Sequence, residues 1–302
     1  MANPEKTSCV YPCHNSYAAI VDFFAVIQQI TERRDNLKKL FISADIEGTC
    51  GIVNWDEGQK NHPDHAYFSQ QMTLEVAAAC EGAKQSGFTS VFIKDAHDTS
   101  RNIIPRGLPE NVKLFRGRPE HPYRMMFGLD ESFDGVVFTG YHNSAQMHGN
   151  ALAHTTNLNN NYIKINGEIC SELMLNCILA ASLNVPVFAV TGDKLICEWI
   201  AYVNPNILTV PTNEGYGSGA WSIHPDVAVR RIRETVQKAT AQDKSACMYP
   251  LPASFSAEVN FKENPKTTHG SFYPGAVQTD TRTLQFESAD FFEILRFFHF
   301  VL

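Results

Sequence analysis

The chain has 302 residues, 44% of them hydrophobic and 19% charged, with 18 Gly and 15 Pro scattered along it. That length fits about two domains of ordinary size, and the balance excludes wholesale disorder and low-complexity architectures. With 25 basic against 32 acidic residues the formal charge is −7, so nucleic acid is not an expected partner.

Residues 1–15 read as a loose arm, and residues 16–37 space Ile20, Phe23, Phe24, Ile27 and Ile30 at helical intervals. This predicts an added N-terminal arm and amphipathic helix over residues 1–38, the helix itself over 16–37. No stretch reaches the ~18 apolar residues of a membrane span, because residues 18–26 are broken by Asp22. No basic segment followed by an apolar run and a small-residue cleavage site opens the chain. The eight cysteines are sparse and sit in apolar contexts, which suits reduced core thiols. The expected location is cytoplasmic, with no membrane partner.

Regular alternation begins at Lys39. LFISAD reads as a strand, residues 64–87 as a long helix closed by Gly87, and TSVFIKD as a second strand. VKLFRG, GVVFTGY, YIKIN, VPVFAVTG and ILTVP continue the strand series, with helices over residues 168–183 and 194–202 between them. Gly215, Gly217 and Gly219 read as a flexible turn, and a Pro-started helix follows over residues 224–240. After the linker-like KSACMYPLPAS, three short strands and the helix ADFFEILRFFHF close the chain. The predicted fold is α/β, a mostly parallel central sheet flanked by helices over residues 39–244, with a smaller C-terminal α+β part over 245–302.

Chemistry-bearing residues gather at predicted strand ends. The first strand runs into Asp45-Ile46-Glu47-Gly48, the second into His97, and GVVFTGY into His142. In a parallel sheet these carboxyl ends share one edge, and residues two apart on an extended chain face the same side. Carboxylates and neutral imidazoles are the donors that hold zinc or a similar divalent ion. His148 and His154 follow in a long Gly- and Asn-rich loop, and Glu172 opens a helix, where it is a ligand or merely an acid complementing the helix dipole. His62, His65 and Asp64 suit surface and capping roles. Cys9, Cys13 and His14 lack an evident fourth ligand.

DIEG at 45–48, KDAHD at 94–98, GYH at 140–142, LAHTT at 152–156, SELMLN at 171–176 and AVTGD at 189–193 together resemble the zinc D-aminopeptidase family often called DppA. The likeness runs from about Leu40 to the C-terminus. It implies that Asp45 bridges two zinc ions, that Glu47 and His97 complete one ion's ligands and His142 and Glu172 the other's, and that His154 is catalytic without being a ligand. It implies hydrolysis of short peptides bearing an N-terminal D-amino acid, and a homo-oligomer of stacked five-membered rings forming a decamer. Two departures stand out: the added residues 1–37, and Asn213 where relatives are expected to carry lysine, which bears on substrate preference. The rival readings are a dinuclear hydrolase of another amide and a metal-stabilised binding protein without catalysis.

Overall fold

A computed structural model describes residues 38–302, which form two sheets. The predicted helix over 16–37 and the Cys9, Cys13, His14 group lie outside the described residues. In chain order come β1 (Lys39–Ala44), the short α1 (Trp55–Gly58), α2 (His65–Gln85), β2 (Ser90–Asp95), β3 (Val112–Phe115), β4 (Gly135–Tyr141), β5 (Asn160–Ile165), β6 (Glu168–Ile169) and α3 (Glu172–Ser182). They are followed by β7 (Val187–Asp193), α4 (Lys194–Val203), β8 (Leu208–Tyr216), β9 (Gly219–Ser222), α5 (Pro225–Thr240), β10 (Phe255–Phe261), α6 (Asn264–Gly270), β11 (Val277–Gln278), β12 (Thr283–Ser288) and α7 (Phe291–Val301).

The larger sheet has the order β3-β2-β1-β4-β7-β8-β9 and is parallel except for its last pair. Strands β4 and β7 are buried at every residue, which is why they read as continuous apolar runs: both faces are covered. On β1 the alternation is still visible. Leu40, Ile42 and Ala44 join a core with α2 and α5, while Phe41 joins one with α3, α7 and the smaller sheet. The mixed α/β architecture is the one the sequence predicts.

Three local expectations change. YIKIN belongs to β5, which pairs antiparallel with β10 and so joins the smaller sheet, order β11-β12-β10-β5-β6, not the main alternation. A short strand carries no mark of which sheet it will join, since partners are set by tertiary packing. The C-terminal strands are therefore completed by mid-chain strands, across the boundary drawn at residue 244. Second, the Gly215 to Gly219 region is a β8–β9 hairpin pairing Asn213 with Ser222 through Tyr216 with Gly219, turning at Gly217. Third, Asp64 does sit at the N-cap of α2, but its side chain makes no capping bond.

Candidate metal centre and active site

Chain order reverses between β1 and β4: the chain leaves β1 for β2 and β3 on one side and returns to β4 on the other. Beyond such a switch point the loops diverge and leave a crevice. Here it is pinned tightly. The Asp45 amide donates to Thr139 O and the Gly48 amide to Gly140 O, both at 2.8 Å. A Cβ on Gly48 would stand 2.1 Å from Tyr141 O, and one on Gly140, whose φ is +68°, would stand 2.2 Å from Asp45 O. Only glycine permits both backbones to approach this closely. The close approach brings the carboxylates that follow β1 beside the imidazole that follows β4.

Glu172 arrives from another direction, as the first residue of α3. Ser171 caps that helix by accepting from the Met174 amide at 3.0 Å. Helical side chains lean toward the N-terminus, so Glu172 projects beyond the helix end into the crevice. His97, past the end of β2, completes the group.

The donor atoms converge on Asp45. Its Oδ1 lies 3.5 Å from His97 Nδ1 and its Oδ2 lies 3.5 Å from His142 Nε2. His97 Nδ1 is also 2.8 Å from Glu47 Oε2, and His142 Nε2 is 3.1 Å from Glu172 Oε2. Two ligand-capable sets therefore share Asp45, namely Asp45, Glu47, His97 and Asp45, His142, Glu172. All five are buried.

The far nitrogen of each ring is tied to a backbone carbonyl. His97 Nε2 donates to Gly58 O at 3.0 Å and His142 Nδ1 to Asn143 O at 2.8 Å. A carbonyl can only accept, so in the neutral ring the nitrogen facing the carboxylates carries a lone pair. Meanwhile Asp45 Oδ2 and Glu47 Oε2 are buried without a hydrogen-bond donor. Burial, reinforced by the Glu47 charge, drives the Asp45 pKa well above its usual range. For Glu47 burial acts the same way but the His97 charge overrides it, and the pKa falls well below normal. Against the effect of burial, the same carboxylates raise the His97 and His142 pKa values well above the usual imidazole value, so the cluster as it stands holds protons between carboxylate and ring. Divalent ions can take the place of those protons, and the residues fit a divalent pair.

His154 lies over this cluster. Its ring stacks on His142 at 4.4 Å with an interplanar angle of 6°, and Trp55 meets it edge-on at 5.2 Å. Its Nδ1 donates to Leu152 O at 2.8 Å, leaving Nε2 directed at Glu47 Oε1, 3.7 Å away, and Glu172 Oε1, 4.0 Å away. Burial and the neighbouring His142 lower its pKa from 6.5. Together with Glu47 and His142 it makes a third set within ligand reach.

Other sequence candidates fall elsewhere. His148 enters none of the three ligand sets among the described residues, and only its carbonyl is engaged, by Asn143 Nδ2. His65 bonds Asn102 in the core, and His62 sits between the exposed Asp56 and Asp64. Asn213 is buried away from the cavity lining: it accepts from the Gly51 amide at 2.9 Å and Ser222 Oγ at 2.7 Å, and donates to Thr49 O at 2.8 Å. It braces the loop after DIEG.

Sequence reasoning passed over Trp55 and gave Asp193 no role. Asp193 accepts from the Asn143 amide at 3.0 Å and from Asn150 Nδ2 at 2.5 Å, while Asn150 also donates to Glu47 O at 3.1 Å. It thereby ties both ends of the His142–Asn150 loop segment to β7. Burial lifts its pKa to about 7. The available signal was its place at a strand end, the same signal that marked Asp45. The cluster forms the floor of a cavity of about 710 Å³ whose walls come from residues 118–125, 154–159 and α7.

The family model Peptidase_M55, described as D-aminopeptidase, matches residues 38–300. The D-aminopeptidase of Bacillus subtilis (strain 168) is 28% identical over 261 residues, covering 84% of this chain and 93% of that protein. Among solved structures, the Zn-dependent D-aminopeptidase DppA from Bacillus subtilis, a self-compartmentalizing protease, superposes with a TM-score of 0.81 at 25% identity, covering 87% of this chain and 96% of that one. This chain is a metallo-aminopeptidase and belongs to the D-aminopeptidase family, Peptidase_M55.

Proposed function

We propose that the chain hydrolyses short peptides with an N-terminal D-amino acid at a centre of two zinc ions. The observation that carries this reading is the division of Asp45, one oxygen facing His97 and the other facing His142. Glu47 and His97 would hold one ion, His142 and Glu172 the other, with Asp45 between them. Bound zinc supplies Lewis-acid polarisation of the scissile carbonyl and lowers the pKa of the attacking water.

The remaining work falls to the chain's own residues. In its neutral tautomer His154 has no proton on Nε2, so it cannot donate to an oxyanion; it accepts a proton at Nε2 and passes it to the leaving nitrogen. Stacking on His142 and the edge of Trp55 hold the ring in place. Exclusion of water by the buried floor strengthens each of these interactions.

Similarity to a self-compartmentalizing relative supports a homo-oligomeric assembly of stacked rings, and the exposed Tyr202, Tyr216, Trp221 and Phe272 offer surface for neighbours. No helix among the described residues is long and apolar enough to cross a membrane. The six described cysteines are free and buried, which favours a reducing, cytoplasmic setting.

Metal analysis of purified protein, paired with hydrolysis of matched D- and L-aminoacyl peptides, tests the reading. Two zinc ions per subunit and faster cleavage of the D-peptides are expected. Faster turnover of non-peptide amides would move the chain to another amide substrate, and bound metal without any hydrolysis would make the centre structural.

A further inference from the structure

The cavity lining carries several cations, and Arg124 alone among them combines partial burial with the lack of a partner among the described residues. Lys94 Nζ donates to Ser100 Oγ at 2.9 Å and to Gly117 O at 3.3 Å. Lys60 Nζ donates to Arg101 O at 3.0 Å, and Arg118 Nε to Asp98 O at 2.8 Å. Arg101 is exposed. Arg124 is different: it is partly buried, lines the cavity, and among the described residues its guanidinium makes no hydrogen bond and no ion pair within 4.0 Å. It feels the Glu172 carboxylate without touching it, with Arg118 and Glu120 the other charges in range, and burial pulls its pKa downward.

The backbone is organised around this residue. Arg124 has φ of +45°, in the left-handed region that a long side chain rarely adopts. Its amide donates to His121 O at 2.9 Å. The next residue is fastened to the site's own elements: Met125 O accepts from Ser43 Oγ of β1 at 2.9 Å, Ser43 Oγ lies 2.7 Å from the Tyr141 hydroxyl of β4, and Asn176 Nδ2 of α3 donates to that hydroxyl at 2.8 Å. The strands and helix that lead into Asp45, His142 and Glu172 therefore also fix the turn that presents Arg124.

A planar, partly buried guanidinium with no partner among the described residues suits a bidentate oxyanion. In a peptide bound with its scissile bond at the floor, each residue beyond that bond advances the chain at most ~3.6 Å. A short peptide's C-terminal carboxylate therefore stays within the cavity that Arg124 lines. We propose that Arg124 anchors the free C-terminal carboxylate of the substrate, making the enzyme selective for short free-acid peptides over their amides. The proposal rests on the aminopeptidase reading for its substrate, and the test separates the two.

Two measurements suffice: kcat and KM for D-alanylglycine and D-alanylglycinamide, and calorimetric binding to the purified holoenzyme of the uncleavable isosteres in which –CH2–NH– replaces the scissile amide. Wild type, Arg124→Gln and Arg124→Lys are compared, with circular dichroism as the folding control. The acid should be preferred by about 10–100-fold in wild type, the usual worth of a charge-assisted bond. Arg124→Gln should erase that preference by raising KM for the acid far more than for the amide, and Arg124→Lys should restore part of it. An acid preference that survives Arg124→Gln, or an equal loss on acid and amide, overturns the anchor. If wild type hydrolyses both peptides with no acid preference, the anchor fails and the hydrolase reading stands. If it cleaves neither yet binds the acid isostere preferentially through Arg124, the hydrolase reading fails and the anchor stands.

Discussion

The floor and the wall of the cavity are built on different principles. The floor is set by strand ends: Asp45, Glu47, His97 and His142 follow β1, β2 and β4, and backbone bonds between neighbouring strands hold them in place. The wall comes from turns at 118–125 and 154–159, closed by α7 from the C-terminal part. A floor of this kind is held firmly because its residues directly follow strands that are hydrogen-bonded to one another. A wall made of turns can vary while the chemistry below stays fixed, which is how one metal centre serves different substrates.

The most damaging way to break the floor is to remove its bridge. Asp45→Ala should lose both ions and reduce activity to background, because each remaining half-site keeps only two ligands. Metal analysis with a peptide assay checks this, and full occupancy in the variant would refute the shared ligand. His154→Ala comes next. It should keep its metal and fold and lose ~10²–10⁴ in kcat, the usual worth of a positioned proton carrier. Loss of metal in step with activity would make His154 a ligand, which its distance from Glu47 leaves geometrically open.

His154 also sets a pH dependence. Its pKa is lowered by burial and by His142, so the neutral ring is favoured in the folded enzyme. A reaction that needs the neutral ring is active above that pKa and fails as pH falls through it. The acid limb of kcat should therefore have its midpoint below the ordinary imidazole value of 6.5, and it should vanish in the residual activity of His154→Ala. A limb above 6.5 would assign it to another group.

What the sequence made legible follows the same division. Asp45, Glu47, His97 and His142 could be read because a parallel sheet converts the order of strand ends into proximity. Glu172 could not be separated from a helix-capping acid by spacing alone, and only the resemblance made it a ligand. Its burial and its 3.1 Å approach to His142 now support that role. Arg124 and Trp55 lie in turns whose course depends on tertiary bonds such as that of Ser43 to Met125, and no local periodicity encodes those. YIKIN shows the same limit, since its partner β10 lies some ninety residues away.

Rigidity of the floor can be probed without touching a ligand. In Gly48→Ala the new methyl would meet Tyr141 O, a backbone atom that cannot swing aside. Overpacking of this kind costs roughly 1–3 kcal/mol. The expected outcome is a lower melting temperature with weakened metal binding. An unchanged variant would show that the two backbones separate more easily than their hydrogen bonds imply.

The smallest effect on chemistry is expected at Asn213, the position whose departure from the resemblance raised a question about substrate preference. Its side chain is spent on three hydrogen bonds, two accepted from Gly51 and Ser222 and one donated to Thr49, and none is directed at the cavity. Replacing it with alanine leaves those partners buried without their bond, a loss of about 1–3 kcal/mol in stability. The ratio of kcat/KM for D- over L-aminoacyl peptides should nevertheless hold, because Asn213 does not line the cavity. Thermal melts beside the two rate constants decide the matter. A stable variant with an altered ratio would put Asn213 in the selectivity machinery, and would show that the wall's specificity is set partly from within the floor.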